Sequence, residues 1–342
     1  MRFHAFRGFA SRPGFISGRP VASCVDAPSK VNGASSLVQD PARLQAWLAW
    51  GAVSFLWGTT YLAIRVGAQH VPPALFAGSR FLPAGLILWA FCRLRGDRNP
   101  VGSEWRSLAA VGLLLLGIGN GLVVTAEQWV DSGQAALAVS MMPIWMAGLS
   151  GMLPQGERLN GRGILGLLLG ITGLFLLLHP TAGATAIDAR RLLGIGILEI
   201  ACFSWAAGSL LSKRQKLGVS SLMGAAVEMM IAGIVLLGIA AATGEWRGFT
   251  PTWTAAAATG YLIVFGSLLG YGCYMFALSH LRATTVSLYA YVNPIVALVA
   301  GAILLHEPLS WSKLAAAGVI LLGVALAQSE GIKDSQSGKG SD

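Results

Sequence analysis

Phe55-Leu56-Trp57-Gly58, inside a long apolar run, is echoed by Phe203-Ser204-Trp205-Ala206 in a second run 148 residues later. The echo continues at that offset: Ala77 meets Ala225, Ala84 meets Ala232 and Gly85 meets Gly233. Further on the register slips to 151, where Ala126, Leu137, Pro143 and Ile144 meet Ala277, Leu288, Pro294 and Ile295. Glu157 and Glu307 match at 150. The second half of the chain rewrites the first. When both halves of such a repeat cross a bilayer, a substrate site sits at their interface.

Composition puts the halves in a membrane. Apolar residues make up 54% of the chain and charged ones 11%, against about a quarter charged in a soluble protein. Ten segments reach spanning length, near 46–64, 73–92, 108–127, 134–152, 162–179, 194–212, 222–242, 256–278, 284–304 and 309–328, since a span takes roughly 20 apolar residues. The last is the weakest, because Trp311, Ser312 and Lys313 interrupt its start. Backbone groups in lipid must be satisfied within the segment, so the spans are helices. Five spans per half is an odd number, so the halves enter the membrane in opposite directions. The expected fold is an all-α integral membrane protein with ten transmembrane helices in two inverted five-helix repeats.

The net charge of +9 is distributed as an orientation signal. With the N-terminus inside, 18 Lys or Arg fall on the inner side, Arg93, Arg95, Arg98, Lys213, Arg214 and Lys216 among them. Five fall outside: Arg65, Arg190, Arg191, Arg247 and Lys313. This is the positive-inside bias, and it makes nucleic acid an unneeded partner. Cys24, Cys92, Cys202 and Cys273 form no CxxC, and none lies in an outer loop. Neither a disulfide framework nor a zinc site follows, and no metal or other cofactor is expected.

Residues 1–43 are expected to be a disordered cytoplasmic tail, 44–180 the first repeat, 181–192 a connector, 193–328 the second repeat and 329–342 a second cytoplasmic tail. The Arg-rich, acid-poor start also has the composition of an organelle transit peptide, the less favoured reading. Translation is expected to begin nearer Val31 or Val38; a native N-terminus at Met1 by mass spectrometry would dismiss this.

Trp57-Gly58-Thr59-Thr60-Tyr61, Arg80-Phe81, the stretch from Pro143 to Glu157 and its echo from Pro294 to Glu307 resemble the drug/metabolite transporter superfamily, and within it the EamA family of ten-helix exporters. Gly119-Asn120-Gly121, Ala126-Glu127, Ala225-Ala226-Val227-Glu228-Met229 and Tyr289-Ala290-Tyr291-Val292-Asn293-Pro294 are similar to the YedA-type branch of bacterial inner-membrane permeases. The resemblance covers about residues 44–328. It implies export of small metabolites, amino acids or toxic compounds across a bacterial inner membrane, with both termini cytoplasmic. Glu199 matches no pattern of that branch.

Charged residues in a bilayer cost roughly 2.5–3.5 kcal/mol each, so each needs a reason. Arg80, Glu127, Glu199 and Glu228 qualify. Arg80 and Glu228 are repeat-equivalent, each 23 residues after its half's tryptophan. A guanidinium matches a carboxylate as a planar fork, so Arg80 is a candidate for a substrate carboxylate and Glu228 for an ammonium group or a coupling proton. The bland alternative is a fixed ion pair of Arg80 with Glu127 or Glu228. Glu127, near the outer end of its helix, is explained as well by hydration. Asn120 and Glu127, seven apart, share a helix face, as do Ser267, Tyr271 and Tyr274. With Thr60, Trp57, Trp205, Tyr291 and Asn293 these are the candidate lining of a polar cavity; interhelical hydrogen bonding is the alternative. Pro143 and Pro294 are candidate hinges. The pairs Gly117/Gly121, Gly166/Gly170 and Gly266/Gly270 read as close helix packing. Glu157 and Glu307 read as caps of the helix that follows each.

Three classes of function compete. A secondary exporter with alternating access fits best, with an exchanger or uptake permease beside it. A membrane enzyme lacks HExxH, clustered His or Cys ligands and a GxSxG turn. A scaffold or sensor leaves the intramembrane charges without a purpose. A small-molecule substrate and the lipid bilayer are the expected partners; a homodimer is left open.

Overall fold

The computed structural model describes residues 41–153, 161–178, 189–249, 251–307 and 309–328, all within one compact unit. Residues 1–40 of the first expected tail, all of the second, Glu157 and most of the connector fall outside the described residues. Helices joined by short turns make up what is described, with no strand among those residues. In chain order they are α1 (Pro41–Ala68), α2 (Pro73–Leu94), α3 (Glu104–Ala126), α4 (Ser132–Val139), α5 (Met142–Gly151), α6 (Gly161–Leu178), α7 (Ala189–Arg214), α8 (Ser221–Thr243), α9 (Trp253–His280), α10 (Ala283–Leu304) and α11 (Trp311–Gln328). Helix α1 starts inside the expected tail and α7 inside the expected connector.

Six of these, α2, α3, α7, α8, α9 and α10, are long and apolar enough to cross a membrane among the described residues. The expected fourth span is broken in two, and Pro143 explains the break. It sits in the first turn of α5, where its missing N–H has no intrahelical carbonyl to serve. Pro143 therefore begins a helix rather than bending one. Pro294 does lie inside α10, where no N–H returns to the carbonyl of Ala290.

Small residues are frequent on the buried faces of α2 and α8, beside large ones such as Phe76 and Phe81. On α2 the buried face carries Ala74, Ala77, Gly78, Ala84 and Gly85, and on α8 Gly224, Ala225, Ala226, Ala232 and Gly233. Large side chains such as Phe55, Ile87, Ile234 and Ile239 point outward. Lipid tails are as apolar as leucine, so helices in a bilayer gain by close approach through small residues.

That approach is reciprocal between α2 and α8. A Cβ on Gly85 would stand 2.7 Å from the Met230 nitrogen, and one on Gly233 would stand 2.5 Å from the Leu82 nitrogen. Gly85 and Gly233, like Leu82 and Met230, are partners at the offset of 148. Other contacts pair in the same way. Helix α1 packs on α9 and α10, α7 packs on α3 and α5, and α6 runs along α11. Widened π turns occupy Leu113–Asn120 of α3 and Leu262–Tyr271 of α9, matching stretches at the offset of 151.

Carboxylates tie helix starts across the two halves. Glu245, just past α8, accepts from the Leu75 N–H at 2.8 Å, in the first turn of α2. Ser220, the N-cap of α8, donates to Asp97, just past α2, at 2.8 Å. Glu307 accepts from the N–H and hydroxyl of Ser132 at 3.0 and 2.8 Å and from the Gly133 N–H at 3.3 Å. Glu307 thus caps α4, a helix of the other half, and not the following helix as expected. Free N–H groups at a helix start favour a carboxylate wherever in the chain it originates.

Candidate functional site

A cavity of about 50 Å3 lies where α1, α2, α3, α7 and α9 meet. It has room for a few waters, so a metabolite enters only if lining side chains move. Trp57 and Thr60 from α1, Arg80 from α2, Asn120 from α3, Trp205 from α7 and Tyr271 from α9 all line it. Six of the expected site residues are thereby brought together from both halves of the chain.

The two tryptophans form the cavity's aromatic wall. Their rings meet edge to face with centroids 5.4 Å apart. The Trp57 indole N–H donates to the Gly266 carbonyl at 3.1 Å, and that of Trp205 to the Tyr274 hydroxyl at 3.1 Å. Repeat-equivalent glycines make room for them. A Cβ on Gly270 would stand 2.4 Å from Trp57 Nε1, and one on Gly119 would stand 3.0 Å from the Trp205 ring. Gly266 and Gly270 were expected to bring helices together; they accommodate the Arg80 guanidinium and the Trp57 indole instead. Gly166 and Gly170 do meet a neighbouring helix, since a Cβ on Gly323 would strike their backbone at 2.7 and 2.8 Å.

Arg80 is 3% exposed. Its Nε donates to the Ser267 hydroxyl at 2.8 Å and its Nη1 to Asn120 Oδ1 at 3.4 Å. Its guanidinium carbon stands 4.7 Å from the centre of the Phe81 ring, a cation–π contact. Neither Glu127 nor Glu228 lies within ion-pair distance of it, so the fixed ion pair that was the bland alternative does not form. Glu228 accepts from the Tyr271 hydroxyl at 2.6 Å and lines a second cavity of about 200 Å3 with Lys213 and Ser279.

The remaining expected residues stand outside the central lining. Glu127 lies one turn past Val123, the last cavity-lining residue of α3. It is fully buried, and among the described residues neither carboxylate oxygen has a hydrogen-bond partner. Its main-chain carbonyl accepts from Arg65, whose guanidinium is also 4.0 Å from Asp131. Tyr274 backs the wall, its ring tilted 34° against that of Trp57 and its hydroxyl hydrogen-bonded to Ser209 at 2.5 Å. Asn293, with its amide nitrogen turned to α1, donates to the Ser54 carbonyl at 2.8 Å and the Tyr289 carbonyl at 3.2 Å. The Tyr291 hydroxyl is buried without a partner among the described residues. Glu199 accepts from the Trp145 indole at 2.8 Å, away from both cavities.

Sequence reading missed Tyr61, Tyr289 and Cys202 as lining residues. The first two stand inside motifs that carry the family resemblance, Trp57–Tyr61 and Tyr289–Pro294. It also missed Gly119, whose repeat partner Gly270 drew notice only for its spacing.

The EamA-like transporter family matches residues 45–179 and again residues 192–328. The chain belongs to that family. It is 36% identical to the uncharacterized inner membrane transporter YedA of Escherichia coli (strain K12), over 80% of this chain and 88% of the relative. It is 25% identical to the uncharacterized transporter YoaV of Bacillus subtilis (strain 168), over 80% and 93%, and 27% identical to the WAT1-related chloroplastic protein At3g02690 of Arabidopsis thaliana, over 82% and 68%. A solved crystal structure at 19% identity superposes with a TM-score of 0.62, over 84% of this chain and 98% of that one, and speaks to the fold alone. The protein is a membrane transporter by family, which sets the enzyme alternative aside.

Proposed function

We propose that this chain is a secondary transporter of a bacterial inner membrane that exports small metabolites, such as amino acids or toxic compounds, by alternating access. In this reading its ten spans form two inverted five-helix repeats, residues 44–180 and 193–328, with both termini cytoplasmic. The paired contacts support the repeat: Gly85 and Gly233, Gly119 and Gly270, and the two π turns each recur at the sequence offset. Inverted repeats of this kind transport by rocking around a fixed site at their interface.

The observation that carries the reading is Arg80. A buried guanidinium that reaches only a hydroxyl and an amide, and faces a cavity, keeps its charge for an anionic group. A carboxylate-bearing solute supplies one. Trp57 and Trp205 give its apolar part a surface. An exchanger or uptake permease would use the same cavity.

The test is efflux of a panel of amino acids and cationic drugs from bacterial cells expressing the protein, with and without a proton uncoupler. Selective efflux of a carboxylate-bearing solute, lost in Arg80→Ala, is the expected result. Loss of that efflux with uncoupler assigns proton coupling. Net uptake reverses the direction, and efflux indifferent to Arg80 overturns the site.

A further inference from the structure

The two cavities share no lining residue, yet one hydrogen bond joins their walls. Tyr271 lines the central cavity and Glu228 the second, and their oxygens are 2.6 Å apart. The Tyr271–Glu228 pair is thus shared between the two linings, one residue from each. Behind Tyr271 stand Tyr274 and Trp205, with ring centroids 6.2 and 6.5 Å away.

The lining of the second cavity defines what fits it. Ser212, Ser220, Ser221 and Ser279 offer neutral hydroxyls. Lys213 is also there, but its ammonium already donates to the Leu278 and Ser279 carbonyls at 2.7 and 3.3 Å. Those carbonyls belong to the C-terminal turn of α9, where a cation is favoured. Glu228 is the one carboxylate in the lining, and among the described residues it accepts a hydrogen bond only from Tyr271.

We propose that this second cavity is an intake site for a small ammonium-bearing solute, and that the Tyr271–Glu228 hydrogen bond is the gate between it and the central cavity. The phenol–carboxylate bond carries one charge, whereas an ammonium group brings a full opposite charge, and the attraction between two charges grows in a site screened from water. An incoming ammonium group therefore takes the Glu228 carboxylate from the phenol. Tyr271, released, swings aside and the cavities join. A zwitterion then finds Glu228 for its ammonium group and Arg80, across the opened gate, for its carboxylate. The gate rests on the transporter reading; the ammonium preference of the second cavity does not.

The experiment uses the full chain in lipid nanodiscs with Ser221→Cys, a small change in the wall of the second cavity. The introduced thiol is labelled with 2-aminoethyl methanethiosulfonate or with its 2-sulfonatoethyl counterpart. Site-resolved mass spectrometry gives the rates, each normalised to a free thiol. We expect the ammonium reagent to react at least about tenfold faster, and Glu228→Gln to remove that preference. Tyr271→Phe should increase the preference, because the competing hydroxyl is gone, and should expose native Cys202 of the central cavity to labelling. A merely structural pair predicts the reverse: a lower preference in Tyr271→Phe and unchanged Cys202 labelling. Equal rates for the two reagents overturn the site, and unchanged Cys202 labelling overturns the gate. Labelling needs no flux, so charge preference without export overturns only the transport reading, and export without charge preference overturns only this inference.

Discussion

Helices α2 and α8 hold equivalent places in the two halves and carry opposite charges. Their backbones cross at Gly85 and Gly233 in reciprocal contact, yet at the matched position one presents Arg80 and the other Glu228. Arg80 turns to the central cavity through Ser267 and Asn120, while Glu228 holds Tyr271 and faces the second cavity. The repeat is kept at Gly85 and Gly233, because at that point of the crossing only a hydrogen atom fits. It has diverged where a side chain projects into space, because nothing in the crossing dictates what stands there. One scaffold therefore presents a cation on one side of the interface and an anion on the other.

The largest expected effect breaks the crossing itself. Gly233→Ala and Gly85→Ala each push a methyl into backbone, and each should cost about 3 kcal/mol, read as unfolding of the purified protein. Equal losses sharpen the comparison; a loss in one helix alone breaks it. Gly196→Ala and Gly238→Ala, whose added methyls meet nothing within 4 Å, should be neutral or stabilising.

Arg80→Lys comes next. It keeps the charge and loses the planar fork, so half-saturation of efflux should rise roughly tenfold, equivalent to about 1.4 kcal/mol. A fall in thermal stability with unchanged half-saturation would make Arg80 a packing residue and leave α2 without a functional counterpart to Glu228.

The aromatic wall offers a finer contrast. Gly270→Ala meets the Trp57 indole at 2.4 Å and Gly119→Ala the Trp205 ring at 3.0 Å. The first should cost about 1.3 kcal/mol and the second about 1 kcal/mol, by thermal unfolding. Smallest is Glu307→Gln, which keeps size but weakens the charge-assisted cap of α4. It should cost about 0.5 kcal/mol, with hydrogen exchange rising first at Ser132 and Gly133.

Much of the site is legible in the order of residues alone. Trp57, Trp205, Arg80, Asn120 and Tyr271 stand out because deep tryptophans and intramembrane polar groups are costly unless they serve a purpose. Their convergence on one cavity follows from the repeat. Glu127 marks a limit: face arithmetic puts it with Asn120 on one side of α3, but the cavity ends at Val123. Glu307 marks another. Its carboxylate does cap a helix, but a helix from the other half, and chain order carries no record of that.

Membrane class, helices, repeat offsets and family are all written in the order of residues, because hydropathy, charge bias and internal echo are properties of the chain. Packing is what leaves Arg80 unpaired with carboxylate, gives Glu228 to Tyr271 rather than to Arg80, and forms a second, serine-lined cavity beside that bond. Each of those depends on distances between residues 40 to 187 positions apart, set by which helices cross and how closely their glycines let them approach. No local pattern encodes such distances, because the same side chains at the same spacing would meet other partners in a different packing.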